Sequence, residues 1–441
     1  MRITSWGHNS YTDMMAFRPE RISDLQQAVR DAERTGGIIA YGNGRNYGDL
    51  AMSEGGTALL LRRLDRILDF DVDNSTITIE SGATFAELLD FTAKRGFLPP
   101  VAPGTAFATL GGGVASDVHG KNHDHHGSLG AHIDWLDIVT ANGDCVRASL
   151  TDHPELFAAT IGGCGLTGVI ARLKLRLHRK NANAVETNEY RVRDLDHFFE
   201  LMSTHRDKAT YTVGWIDALQ KGRSLGRGIF QTGEPIKANG IKPRRDSLSV
   251  PITMPSYTLN KLSIGLFNAL YYKRIPATGR QRIVEYSAFH HPLDAIKNWN
   301  RLYGRNGFYQ FQCVLPDKTA RDGIRDILEL VAAKGAASFL GVLKTFGAEG
   351  LGYLSFPLPG VTLSLDLPVR SETDMLMGHL EEKTRNNGGR IYLAKDASLS
   401  ADGFAEMYPR LNQFRSTLHE YDPDCRFESD MSRRLKIRTT Q

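Results

Sequence analysis

The chain has 441 residues, 41% hydrophobic and 24% charged, with a formal net charge of +4. This is the composition of a soluble globular protein, too long for one ordinary core, so two domains are expected. The weak charge excludes a nucleic-acid-binding protein unless the basic residues cluster. Cys145, Cys164, Cys313 and Cys425 lie far apart, which excludes a zinc ribbon or dense disulfide framework and points to a reducing compartment. No apolar run reaches about 18 residues. The opening MRITSWGHNSYTDMMAF lacks the charged and apolar regions of a signal peptide, so a cytoplasmic location is expected.

In chain order, Ser23-Asp24-Leu25-Gln26 has a capping-box pattern, and Leu25, Ala28, Val29 and Ala32 continue at helical spacing up to Gly36-Gly37. IIAY (38–41) reads as a buried strand and leads into YGNGRNYGD (41–49). Gly42 and Gly44 fit the first two positions of a dinucleotide fingerprint, but Tyr47 stands at the third. LAMSEGG after it is a poor helix start, so the Rossmann reading fails. TITIE (76–80) alternates as a half-buried strand, and Thr84 with Glu87 caps a second helix ending at Gly96.

PGTAFATLGGGVASDVHG (103–120) then brings three adjacent glycines. Glycine is entropically costly and makes sense where backbone N–H groups approach a guest closely; pyrophosphate is the usual one. His119, His123 and His125 offer nitrogen ligands to a metal, but the catalytic H-E-x-x-H spacing is missing, and no metal is expected. LDIVTANGDCVRA (136–148) reads as a hairpin turning at Asn142-Gly143. IGGCGLTGVIARL (161–173) supplies a third glycine loop. Together the three loops suggest one extended anionic cofactor gripped from several sides.

Beyond residue 183 the texture changes. YTVGWID (211–217), YQFQCVLP (309–316) and VTLSLDLP (361–368) alternate and suggest a second domain on an antiparallel sheet. Parity puts Gln310 and Gln312 on one face against Tyr309, Phe311 and Cys313. It likewise sets Thr362, Ser364 and Asp366 against Val361, Leu363, Leu365 and Leu367. A polar face of this kind either roofs a pocket or meets water. Residues 219–277, rich in Gly, Lys, Arg and Pro and ending in apolar LSIGLFNALYY, read as one long functional or disordered loop.

The set GNGRNYGD, PGTAFATLGGGVASDVHGKNH, GGCGLTGVI and RIYLAKD (390–396) resembles the flavoprotein oxidoreductases of the vanillyl-alcohol-oxidase type, and within them the enzymes that oxidise polyprenylphosphoryl ribose. The likeness extends to HPLDAIKNWNRLYG (291–304), SFLGVLKTFG (338–347) and MYPRLNQFR (407–415). It implies an α+β, two-lobed fold: an FAD domain from residues 1–183 and 390–441, and an inserted antiparallel-sheet substrate domain, 184–389. It implies that Gly44, Arg45, Asn46, Tyr47, Gly104, Thr105, Thr109, Gly111, Gly112, Ala115, Ser116, His119, Gly120, Ile170, Tyr392 and Ala394 hold FAD. With no histidine between His8 and His119, the first loop lacks the residue that anchors flavin covalently in some relatives, so non-covalent FAD is expected.

For catalysis the resemblance points to Lys395, Tyr47 and His119, and leaves open which of them takes the hydroxyl proton. For the sugar it implies Gln310, Gln312, Lys344, Ser364, Lys395 and Trp215. Ser364 stands where a relative sensitive to thiol-trapping inhibitors has cysteine, so that sensitivity should be lost. The implied reaction is oxidation of the ribose 2′-hydroxyl of a polyprenylphosphoryl ribose, completed by a partner NAD-dependent keto-reductase. Peripheral contact with the inner membrane is expected. Lys237, Lys242, Arg244 and Arg245 would meet anionic headgroups, and Leu262, Ile264, Leu266 and Phe267 the prenyl chain. The rival readings are a flavin oxidase of free alditols or aldonolactones, and a lipid-sugar binding protein without catalysis.

Overall fold

The computed structural model describes residues 1–32, 36–241, 248–336 and 339–438. Two antiparallel sheets and one small parallel sheet carry the architecture. The first antiparallel sheet has five strands, in the spatial order Cys145–Ser149, Ile133–Val139, Val169–Arg176, Thr76–Glu80 and Ile67–Asp71. Its apolar positions, among them Ile77, Ile79, Leu136, Ile138, Leu173 and Leu175, pack with Phe85 and Leu88 of the helix Phe85–Ala93 and with Leu110 and Val114. Thr84 and Glu87 cap that helix reciprocally, as the sequence pattern predicts. The hairpin at Asn142-Gly143 also forms, with Gly143 at φ +83°.

The parallel sheet joins Met15–Phe17, Thr57–Leu60 and Ile38–Tyr41. Its edge is completed from the far end of the chain: Ile38 donates to the Arg426 carbonyl and accepts from the Glu428 N–H. Both ends of the sequence therefore build the same lobe. Arg434 fastens them further, because its guanidinium bridges Asp49 (2.7 Å) and the buried Asp396 (2.9 Å). One side chain thus ties the loop after Ile38–Tyr41 to the segment bearing Lys395.

The second antiparallel sheet has eight strands, in the order Arg280–Glu285, Ala184–Val192, Gly228–Ile236, Tyr211–Ile216, Gly341–Phe346, Gly360–Pro368, Phe308–Pro316 and Arg390–Ile391. The apolar parity set Phe311, Cys313, Leu363, Leu365 and Leu367 lies in the largest core, beneath the helices Ala320–Lys334 and Thr373–Asn386.

Two sequence expectations need correction. The first helix spans Ile22–Asp31 with Arg21 as its N-cap. Asp24 accepts from the Arg21 N–H (3.0 Å), whereas Gln26 reaches away to the Gly143 carbonyl (2.9 Å), so Ser23 caps nothing. Residues 219–277 are not one loop. Gly228–Ile236 is an interior strand of the large sheet, and the apolar tail forms the helix Lys261–Lys273, capped by Asn260. Two glycines and a proline in GIFQTGEPI interrupt its alternation, although Phe230 and Thr232 are buried and Gln231 borders the cavity. Lys242, Arg244 and Arg245 fall outside the described residues.

Candidate active site

Between the lobes lies a cavity of about 450 Å³, lined by both. All the residues predicted for cofactor, substrate and catalysis border it. The structure thus gathers into one space segments separated by up to about 350 positions, from Gly44 to Lys395.

At one end stand the glycine loops. Backbone crowding there is extreme: a Cβ on Gly42 would fall 2.4 Å from Thr109 Oγ1. On Gly104 a Cβ would meet nothing within 4 Å and would take cavity space instead. Thr109 caps the short helix Leu110–Ala115 by accepting from the Gly112 N–H (3.2 Å). Ser81 Oγ and Arg45 Nε are buried, border this end and find no partner among the described residues, as expected where a polar guest supplies the partner. Arg45 is braced over the Trp6 ring at 4.2 Å. Glycine-lined backbone, a free hydroxyl and a fixed guanidinium fit the phosphates and ribityl hydroxyls of FAD.

At the other end the polar face of the large sheet looks into the cavity. Strand pairing sets Gln310 opposite Asp366 and Gln312 opposite Ser364. Gln310 Nε2 donates to Asp366 Oδ1 (2.5 Å), and Gln312 Nε2 donates to Thr362 Oγ1 (3.0 Å) while lying 3.0 Å from His119 Nε2. Both glutamine Oε1 atoms are left buried without a partner among the described residues. They form a pair of acceptors on one face, two residues apart. The polar face therefore roofs a pocket and does not meet water.

Lys395 Nζ reaches Ser364 Oγ (3.4 Å) and lies 5.8 Å from the Tyr47 ring centroid. Burial pushes its pKa below the ordinary 10.5, against the opposing pull of Asp366. Asp366 is fully buried, also accepts from Tyr303 Oη (2.9 Å), and has its carboxyl pKa raised by burial. Burial, then the charge of Asp366, holds the Tyr47 phenol well above its usual range. His119 is pushed well below 6.5 by burial, then by the charges of Lys344, His123 and Lys395, and is neutral at pH 7.

The other two histidines weighed as metal ligands are engaged elsewhere. His123 Nδ1 accepts from the Gly347 N–H (3.1 Å), and His125 Nε2 meets the Ala209 carbonyl (3.1 Å). Among the described residues no group of three His, Cys, Asp or Glu is arranged to hold a metal ion.

Sequence reading missed Asp366 as a partner of the site, and Lys121, Gln231, Tyr271 and His290 as cavity residues. Parity had put Asp366 on the polar face, and its buried position two residues from Ser364 was the available signal. Nothing local marked His290 or Tyr271, which arrive by tertiary packing.

Residues 15–149 match the family described as FAD binding domain, and residues 363–435 match D-arabinono-1,4-lactone oxidase. With the two-lobed architecture, these make the chain an FAD-dependent oxidoreductase of the vanillyl-alcohol-oxidase type. It is 33% identical to decaprenylphosphoryl-β-D-ribose oxidase of Mycolicibacterium smegmatis, across 99% of this chain and 97% of that protein. The chain belongs to the decaprenylphosphoryl-β-D-ribose oxidase family. It is also 24% identical to L-gulono-1,4-lactone dehydrogenase of Mycobacterium tuberculosis over 95% of both chains.

A Gly104→Val variant is expected to fold, by far-UV circular dichroism, but to be purified with a markedly lower FAD-to-protein ratio. Acid precipitation of the parent protein should leave all of its FAD in the supernatant. Flavin remaining in the pellet would mean a covalent link.

Proposed function

We propose that this protein oxidises the 2′-hydroxyl of a polyprenylphosphoryl-β-D-ribose to the 2′-keto sugar. This is the first half of an epimerisation that yields an arabinose donor for cell-envelope glycans. An NAD-dependent keto-reductase would complete it. The observation that carries the reading is the geometry around Lys395, where an amine, a phenol and two unpartnered amide oxygens converge on the cavity beside the cofactor loops.

FAD supplies the two-electron acceptor that no side chain can provide. The protein has to orient the alcohol and take its proton. Gln310 and Gln312, each with its NH₂ group tied down, present Oε1 acceptors to neighbouring sugar hydroxyls. Of the three candidate proton acceptors, His119 has its Nε2 occupied by Gln312, and the Tyr47 phenol is held high. Lys395 alone has a pKa moved toward neutrality, by burial, and we assign it the hydroxyl proton. Asp366 accepts from Gln310 and keeps a compensating charge near the ammonium once formed.

The lipid part of the substrate has a matching surface. On the helix Lys261–Lys273, Leu262 (85%), Leu266 (64%) and Leu270 (64%) are exposed, and the same helix sends Tyr271 into the cavity wall, 4.7 Å from Trp215. An apolar face that runs into a pocket suits a prenyl chain and peripheral membrane contact. Among the described residues no helix is long and apolar enough to cross a membrane.

Anaerobic titration with a short-chain polyprenylphosphoryl ribose is expected to bleach the flavin absorbance stoichiometrically and yield the 2-keto product. Equal bleaching by free pentoses, alditols or L-gulono-1,4-lactone would make the protein a general sugar oxidase instead. Because a base must be deprotonated to act, kcat/KM should rise with pH along a limb whose midpoint lies below 10.5, the ordinary lysine value. Lys395→Met is expected to abolish that limb and lower kcat by about 10²–10⁴-fold. Retention of the limb in the variant would assign the proton to another group.

A further inference from the structure

Three lysines, Lys121, Lys344 and Lys395, border the one cavity. None of them makes a salt bridge among the described residues. Lys121 Nζ donates to the Phe289 carbonyl and lies over the Phe289 ring at 4.1 Å. Lys344 Nζ donates to the Gly120 carbonyl (3.3 Å). Asp124, whose charge reaches Lys344, is itself held by Arg206 (2.9 Å) and Thr345. An ammonium carries three donors, so both lysines keep donors in hand. Next to Lys121 stands His290, 2% exposed, bordering the cavity with neither ring nitrogen partnered among the described residues.

The order of these groups is informative. Lys395 and Lys121 both act on Lys344, and Lys121 in turn acts on His290. The row runs from Ser364 and Lys395 through Lys344 to the start of the strand Tyr211–Ile216, where the Thr212 N–H donates to the Lys121 carbonyl (2.9 Å) and the His290 ring lies 4.6 Å from that of Tyr211. Uncompensated like charges crowded into a poorly solvated space are costly. An anion between them would relieve the repulsion and form charge-assisted hydrogen bonds.

We propose that Lys121, Lys344 and His290 form an anion subsite that receives the phosphodiester joining sugar to lipid. The proposal rests on the substrate reading given above and adds its recognition element. Phosphate anchored there places the ribose at the glutamine pair and Lys395. It also gives the site a means of discrimination: free pentoses, alditols and lactones leave the cationic row unanswered. Those substrates forgo the charge-assisted hydrogen bonds that the phosphodiester makes.

The test uses the FAD-loaded protein and farnesyl phosphate, a probe with phosphate and prenyl groups but no sugar, so binding is read apart from turnover. Perturbation of the visible flavin spectrum is expected to report saturable binding of farnesyl phosphate and none of farnesol. Lys121→Met and His290→Phe should each weaken it about tenfold or more, with FAD content retained, and Lys121→Arg should largely preserve it. Wild-type affinity in both Lys121→Met and His290→Phe would overturn the proposal. Inorganic phosphate binding as tightly as farnesyl phosphate, with the same dependence on Lys121, would overturn the lipid assignment. Lys121-dependent binding of farnesyl phosphate in a protein whose flavin no ribosyl lipid bleaches would uphold the subsite and sink the reaction.

Discussion

The register between the strands Phe308–Pro316 and Gly360–Pro368 is the constraint on which the site depends. It pairs Gln310 with Asp366 and Gln312 with Ser364, on the face turned to the cavity. On the other face it pairs Phe311 with Leu365 and Cys313 with Leu363, all within 1% of complete burial. A slip of either strand by one residue would exchange that strand's faces, drawing Gln310 and Gln312, or Thr362, Ser364 and Asp366, into the main core. The apolar face thus fixes the register, and the register fixes the positions of the amide oxygens. The helices Ala320–Lys334 and Thr373–Asn386 belong to the chemistry in this indirect sense.

The same arrangement sets the electrostatics. Asp366 is completely buried, yet Gln310 and Tyr303 both donate to it, so the carboxyl is held in place even where burial opposes its charge. Across the cavity, Lys121 and Lys344 have their pKa values brought down to about 7, chiefly by burial. These lysines sit near the balance point between charged and neutral, so whatever binds beside them decides their state. The glycine end has the opposite character, with much backbone and the charges of Arg45 and Asp294, the latter accepting from Thr105 Oγ1 and the Ala106 N–H. One end suits a large cofactor held along its length, the other a small polar group and its anionic tail.

Much of this was legible in the sequence because it is local. The glycine loops, the Thr84–Glu87 cap, the Asn142-Gly143 hairpin and the strand parity of YQFQCVLP and VTLSLDLP all follow from short-range rules of turn chemistry and period two. What was not legible depends on distant partners. Asp24 caps its helix through Arg21 because Gln26 is drawn to Gly143, more than a hundred residues away. Gly228–Ile236 did not read as a strand, because its partners Ala184–Val192 and Tyr211–Ile216 supply the context that its own sequence lacks. His290 became a cavity residue only when the helix Tyr286–His290 packed against Tyr211. Tyr47, His119 and Lys395 were named through a pattern of motifs. Their convergence on one space is a property of the fold.

In the reaction proposed above, the bond broken is the C2–H of a lipid-linked ribose lying beside Lys395 in this cavity. Its most direct test is rapid-mixing flavin reduction with polyprenylphosphoryl ribose deuterated at C2 of the sugar, compared with substrate deuterated at C3. A primary isotope effect on bleaching is expected from C2 deuteration and none from C3. An effect at C3, or at neither position in a step shown to be chemical, would contradict it.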